Sequence, residues 1–170
     1  MQAEMLILRV VHVLGGIFWV GSALFMAFML MPALASAGPA AGAVMGALQR
    51  RRLFLVLPII AILTVLSGIR LMQIASGGFD QSYFESPTGR VFAWGASFGI
   101  AALVFGLVVG RPLAAKMGRL AAMPAPASPE EQEARAAERA ALQRRGAVMG
   151  LVNVGLLLAA AIAMATARYV

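Results

Sequence analysis

The sequence predicts an all-α integral membrane protein, a four-helix up-down-up-down bundle whose third and fourth helices extend into the cytoplasm. Three observations lead there. Hydrophobic residues make up 61% of the 170 residues, and the mean hydropathy is +0.86, too apolar for an ordinary soluble domain. The apolar residues fall in four segments, near 5–31, 53–75, 91–111 and 147–167, and about 20 such residues suffice to cross a bilayer. No segment alternates with the period of a strand, and in lipid only a helix satisfies its own backbone without closing a barrel. The chain is read as one membrane domain, 1–170.

The loops give the orientation. The first ends in Arg50-Arg51-Arg52, and the third holds Arg111, Lys116, Arg119, Arg135, Arg139, Arg144 and Arg145. The second, from Ala75 to Arg90, has Asp80, Glu85 and a single arginine. Basic loops stay on the cytoplasmic side, so both termini and the second loop are expected outside, in the periplasm of a bacterium. The 14 Lys+Arg against 7 Asp+Glu therefore read as topology signals, and nucleic acid is not an expected partner. Before the first apolar segment there is no basic stretch and no cleavage pattern, so that helix is expected to be retained.

The third loop carries structure of its own. Ser128-Pro129-Glu130-Glu131 has a serine N-cap, a proline at the first helical position and a glutamate at the third. Glu131 and Arg135 stand four apart in the favourable order. Ala134 to Leu142 is alanine-rich, and Leu113 to Met123 can extend the third helix past Pro112 as far as Pro124. A cytoplasmic hairpin over about 112–146 is expected, with Gly146 as a weak point. Its surface is either a solvated charged face or a docking face for a partner subunit. Pro39 to Gln49 reads as a short amphipathic helix at the interface.

The first helix carries the candidate site. Within an apolar stretch lie Arg9 and the only histidine, His12, followed by Trp19 and Gly21 in the pattern His-x6-Trp-x-Gly. Ionisable groups are costly in lipid and usually functional. Arg9, His12, Gly16, Trp19, Ala23 and Met26 share one helical face. From the helix rise, His12, Arg70, Trp94 and Ser97 fall in one outer layer, roughly 6–10 Å from the midplane, with Arg9, Arg90 and Arg168 nearer the surface. The cofactor-binding candidates are therefore His12, Trp19, Arg70, Trp94, Arg9 and Arg90, with His12 the candidate metal ligand. An imidazole ligates haem or metal, and surface arginines suit propionates. Alternatively, His12 bonds a backbone or hydroxyl group on a neighbouring helix while Arg9 and Arg70 reach lipid phosphates.

Copper is a second candidate ligand, since thioether sulfur suits Cu(I). Met26, Met29 and Met31 cluster in the first helix, although methionine also fills apolar gaps. With no cysteine, thiol catalysis and thiolate metal sites are excluded. No catalytic residue set is assigned: every acidic residue is placed in a loop or tail, with no carboxylate within a span.

The run His12-Val13-Leu14-Gly15-Gly16-Ile17-Phe18-Trp19-Val20-Gly21, with Pro32 beyond it, resembles the first helix of CopD-like membrane proteins. These include the copper-resistance protein D domain and relatives of the HemJ-type protoporphyrinogen oxidases. Arg51-Arg52 and Leu66-Ser67-Gly68-Ile69 resemble the family's second helix. The resemblance implies a bundle of four or more helices and, in some branches, haem b held by the first-helix histidine, here His12. Where HemJ-type members carry a third-helix lysine, this chain has Trp94, and its only lysine is Lys116.

Three functions follow as expectations. The first is a non-catalytic binding or accessory subunit, in contact with the lipid bilayer and with other membrane subunits or a second copy, within a respiratory or photosynthetic assembly. The second is a haem b redox protein using His12. The third is copper uptake or tolerance. A C-terminal reporter that works only in the cytoplasm should be silent in this topology; activity there would invert it.

Overall fold

The computed structural model describes residues 2–38 and 40–170. Its helices are α1 (Gln2–Ser36), α2 (Ala40–Arg50), α3 (Leu53–Ala75), α4 (Gln81–Glu85), α5 (Pro87–Ala122) and α6 (Pro129–Thr166). A 3-10 turn, Ala167–Tyr169, follows. Among the described residues there is no strand. The helices α1, α3, α5 and α6 are each long and apolar enough to cross a membrane. The first, third and fourth apolar segments extend beyond their sequence limits into 35-, 36- and 41-residue helical runs. The helix α6 continues unbroken through Gly146, the expected weak point. Pro39, in the expected interfacial helix, lies outside the described residues.

Two prolines shape the long helices. In α1 the turn Met26–Leu30 is a π-turn, with the Met31 N–H reaching back to the Met26 carbonyl. In α5 the same happens over Gly106–Gly110, with the Arg111 N–H on the Gly106 carbonyl. A proline follows each, at Pro32 and Pro112. A proline ring clashes with the carbonyl four residues back and offers no N–H, and a widened turn relieves the clash while the helix continues. The cost falls on Ala27 and Leu107. Their usual donors, Met31 and Arg111, are taken by the residue before, and the next residue is a proline.

Connections are tight and locally capped. Arg52 takes a left-handed φ of 57° and passes α2 directly into α3, accepting from the Leu55 and Val56 N–H groups. Asp80 caps α4 by accepting from the Ser82 N–H at 2.8 Å, and the Ser82 hydroxyl and N–H hold its carboxyl below the ordinary value. Ser86 caps α5 by accepting from the Gly89 N–H at 3.0 Å. A Cβ at Gly89 would stand 1.9 Å from the Tyr83 carbonyl oxygen, so α4 can fold back onto α5 only with glycine there.

The capping expected at Ser128 is present. Its hydroxyl accepts from the Glu131 N–H at 3.2 Å, while Glu131 accepts from the Ala127 N–H at 2.8 Å. Arg135 bridges Glu131 and the Pro124 carbonyl. The Ala127 N–H, then Arg135, lower the Glu131 carboxyl below its ordinary value, so this brace is complete above that value and is lost as acid protonates Glu131.

The long helices pack as two close pairs, α1 with α3 and α5 with α6, and α3 also meets α5 while α1 meets α6. Glu4, at the start of α1, reaches Arg70 near the end of α3. Thr88, at the start of α5, donates to the Val170 carbonyl beyond α6 at 3.2 Å. Small residues set the α5–α6 spacing: a Cβ at Gly95 would lie 3.2 Å from the Ala163 Cβ and 3.4 Å from the Ala160 carbonyl oxygen. Towards the hairpin, Leu113 lies against Gly146.

The π-turn in α5 makes a register prediction. Replacing Pro112 by alanine restores the missing donor, and return to regular geometry rotates the chain beyond it by about 100°. A cysteine pair at 113 and 146, in a chain with no other cysteine, should cross-link with Pro112 present and fail in the Pro112→Ala background. Equal cross-linking in both would show that the proline does not hold the turn.

Candidate polar site between the first and third helices

The site begins with a stripe of small residues on α3. Ala61, Thr64 and Ser67 recur every third position and are its buried residues. Both hydroxyls turn back on their own helix: Thr64 donates to the Ile60 carbonyl at 2.8 Å, and Ser67 donates to the Leu63 carbonyl at 2.7 Å and the Thr64 carbonyl at 3.0 Å. This satisfies the hydroxyls without a partner from another helix.

His12 joins that stripe from α1. Its Nδ1 lies 2.8 Å from the Thr64 carbonyl oxygen. A carbonyl only accepts, so Nδ1 carries the proton, and in the neutral ring Nε2 keeps a lone pair. The imidazole lies over Gly68, where a Cβ would be 2.7 Å from its Cε1. One turn along α1, a Cβ at Gly15 would fall 2.4 Å from the Thr64 Oγ1. Glycine on each helix thus admits a side chain from the other. The ring is fixed at one nitrogen and along one face, which is how an imidazole is held when its other nitrogen serves as a ligand.

Arg70 lies two residues beyond Gly68. Its Nε and Nη2 donate to Glu4 Oε1 at 2.9 and 2.6 Å, and Nη1 donates to the Gln73 side chain at 2.9 Å. The pair is about half exposed, so solvent screening leaves it little net weight in stability; its effect is to orient Arg70.

The remaining candidates divide between this seam and α5. Arg9 is exposed and Trp19 half-buried on α1. Trp94 is 64% exposed and stacks on Phe98 with ring centroids 6.1 Å apart. Arg90, Trp94 and Ser97 line a shallow cleft of about 270 Å³ with Phe84 and Ala93, and Ser97 donates to the Ala93 carbonyl at 2.9 Å. The partners of His12, Thr64 and Gly68, are not among the residues around Trp94. The layer expected from depth is therefore two places, because equal depth does not give equal direction around the bundle.

Sequence reasoning missed three residues. Thr64 holds His12, and its signal was the three-residue spacing of Ala61, Thr64 and Ser67. Glu4 was read as part of a tail but lies in the first turn of α1, one turn from Leu8 and two from His12. Asn153 was given no role; its Oδ1 is buried with no hydrogen-bond partner. No protein-family model, curated protein or solved structure matches the chain.

The seam makes a coupling prediction. His12→Ala should cost on the order of 1 kcal/mol, the net worth of one hydrogen bond. Gly68→Ala should cost more, about 1–3 kcal/mol, because the new methyl displaces the ring. Once the ring is gone the methyl has room, so the double variant should fall short of the sum by at least about 0.5 kcal/mol. Strict additivity in denaturant unfolding would show that the ring and Gly68 do not share this contact.

Proposed function

We propose that the protein is a non-catalytic integral membrane binding or accessory subunit, multi-pass in a bacterial inner membrane with both termini periplasmic. In this reading α1, α3, α5 and α6 run up-down-up-down, and the basic first and third loops are cytoplasmic. The observation that carries it is the length of α5 and α6. Their helical runs are 36 and 41 residues, whereas a crossing takes about 20. The excess is a hairpin braced by Ser128, Glu131 and Arg135. A connection between two spans needs no such brace, and a rigid, charged projection suits docking to another subunit. The resemblance of the His12–Gly21 run to CopD-like proteins points to a respiratory or photosynthetic assembly.

Native mass determination of the membrane-extracted particle tests this. A second polypeptide in fixed ratio is expected, together with its loss when Glu131 and Arg135 are both replaced by alanine. A particle made only of 17.8 kDa chains would overturn the accessory role.

A second reading, haem b held by His12, is favoured by one observation: the Thr64 carbonyl fixes the Nδ1–H tautomer and leaves Nε2 as a donor atom. Among the site residues His12, through Nε2, is the one that would hold the iron. When bound, the haem would supply one-electron chemistry, and the chain's part would be to orient the imidazole through Thr64 and Gly68. A Soret band in the purified protein, abolished by His12→Ala with the helical content unchanged, is the expected sign; a colourless protein purified from haem-replete cells would remove this reading.

A further inference from the structure

We propose that the neck of the α5–α6 hairpin binds the phosphate headgroup of an anionic phospholipid, a site that rests on the membrane placement proposed above. A cavity of about 150 Å³ opens there, with Lys116 of α5 and Arg145 of α6 on its lining. The rest of the lining is apolar, including Val108, Val109 and Pro112, and no carboxylate contributes. Among the described residues the ion pairs engage Arg70 and Arg135, and neither Lys116 nor Arg145 takes part in one.

Two cations on one cavity repel each other, and an anion between them turns that repulsion into two attractions. Phosphate oxygens suit both groups, since guanidinium and ammonium donate charge-assisted hydrogen bonds. The depth selects a lipid over a free ion. Lys116 lies five residues past the apolar segment that ends near 111, about 7–8 Å along the helix, in the headgroup layer. Val108 and Val109 lie inside that segment and offer an apolar wall to an acyl chain, which a free phosphate would leave unused. Basic pockets between spans on the cytoplasmic side hold anionic headgroups in this way.

The backbone explains the opening. The π-turn Gly106–Gly110 widens α5 just before the neck, and a Cβ at either terminal glycine of that turn would meet nothing within 4 Å. Leu113, also on the lining, lies against Gly146 of α6. The π-turn thus lies beside Pro112 and carries the two valines of the lining, and Lys116 follows within two turns of α5.

The test uses the full-length protein, reconstituted in phosphatidylcholine vesicles containing a minor fraction of phosphatidylglycerol, then extracted and read by native mass spectrometry for retained phosphatidylglycerol. Wild type should retain one such lipid. Lys116→Gln or Arg145→Gln should each weaken retention roughly tenfold, the loss expected for one charge-assisted hydrogen bond. Val109→Phe keeps both charges but fills the cavity, and should also release the lipid. Arg139→Gln, which removes a hairpin charge away from the cavity, should leave retention unchanged. Equal retention in the Lys116 and Arg145 variants, or an equal loss in Arg139→Gln, would overturn the site. Displacement by millimolar inorganic phosphate would assign it to a free anion and overturn the lipid. Failure of wild type to enter the vesicles would instead remove the membrane placement, and the site with it.

Discussion

The arrangement of the candidate site depends on one acceptor, the Thr64 carbonyl oxygen. It lies on an apolar helix, within an apolar bundle, and receives both the His12 Nδ1–H and the Ser67 hydroxyl. A polar side chain inside such a bundle needs a partner within it, because lipid offers none. The partner fixes more than His12. For the imidazole to reach Thr64, Gly68 must lie beneath it and Gly15 must admit the Thr64 hydroxyl. Those two close approaches set the spacing and register of α1 on α3. The same register brings Glu4 to Arg70, so the ion pair follows from the seam and contributes little to holding it.

At the opposite end of the long helices a missing donor sets the structure. Pro32 and Pro112 each follow a π-turn, and both turns meet α6. Thus α1 and α3 are drawn together by a satisfied acceptor, while α1 and α5 are widened by unsatisfied ones. The first arrangement favours rigidity around His12. The second lies beside α6 at the hairpin neck, where the valines of the cavity sit on the α5 turn, and the basic residues gather at that same end.

What was legible in the sequence follows the reach of each signal. Apolar run length gives the long helices, and the capping residues Ser128, Pro129 and Glu131 give the start of α6, because both signals are local. The hairpin ends of α5 and α6 were legible as well, because Pro124, Ser128 and Pro129 bound them, and the backbones run to Ala122 and back from Pro129; the end of α1 was less so, since its apolar run stops near 31 while the helix continues to Ser36. Helix rise assigns His12, Arg70, Trp94 and Ser97 a common depth, but it carries no information on their direction around the bundle. Trp94 consequently faces outward with Phe98, apart from the residues that hold His12. The Thr64 carbonyl was illegible for a simpler reason. Every residue has a carbonyl, and only packing decides which one a histidine reaches.

The charges complete the comparison between the two ends. Arg70, near the seam, has its counter-charge within the chain. The hairpin tip does too, since Arg135 is held by Glu131 and by the Pro124 carbonyl. Between these, at the neck, Lys116 and Arg145 share a cavity with no carboxylate. Simple solvation explains isolated exposed cations, but it does not explain why two from different helices converge on an apolar-walled cavity. The chain places a carboxylate beside Arg70 and another beside Arg135 but none on this cavity, so an anion bound there, as proposed, would supply the counter-charge. In the proposed reading the rigidity of the hairpin matters twice, because its brace would present a surface to a partner and would hold together α5 and α6, which carry the two cations of the cavity.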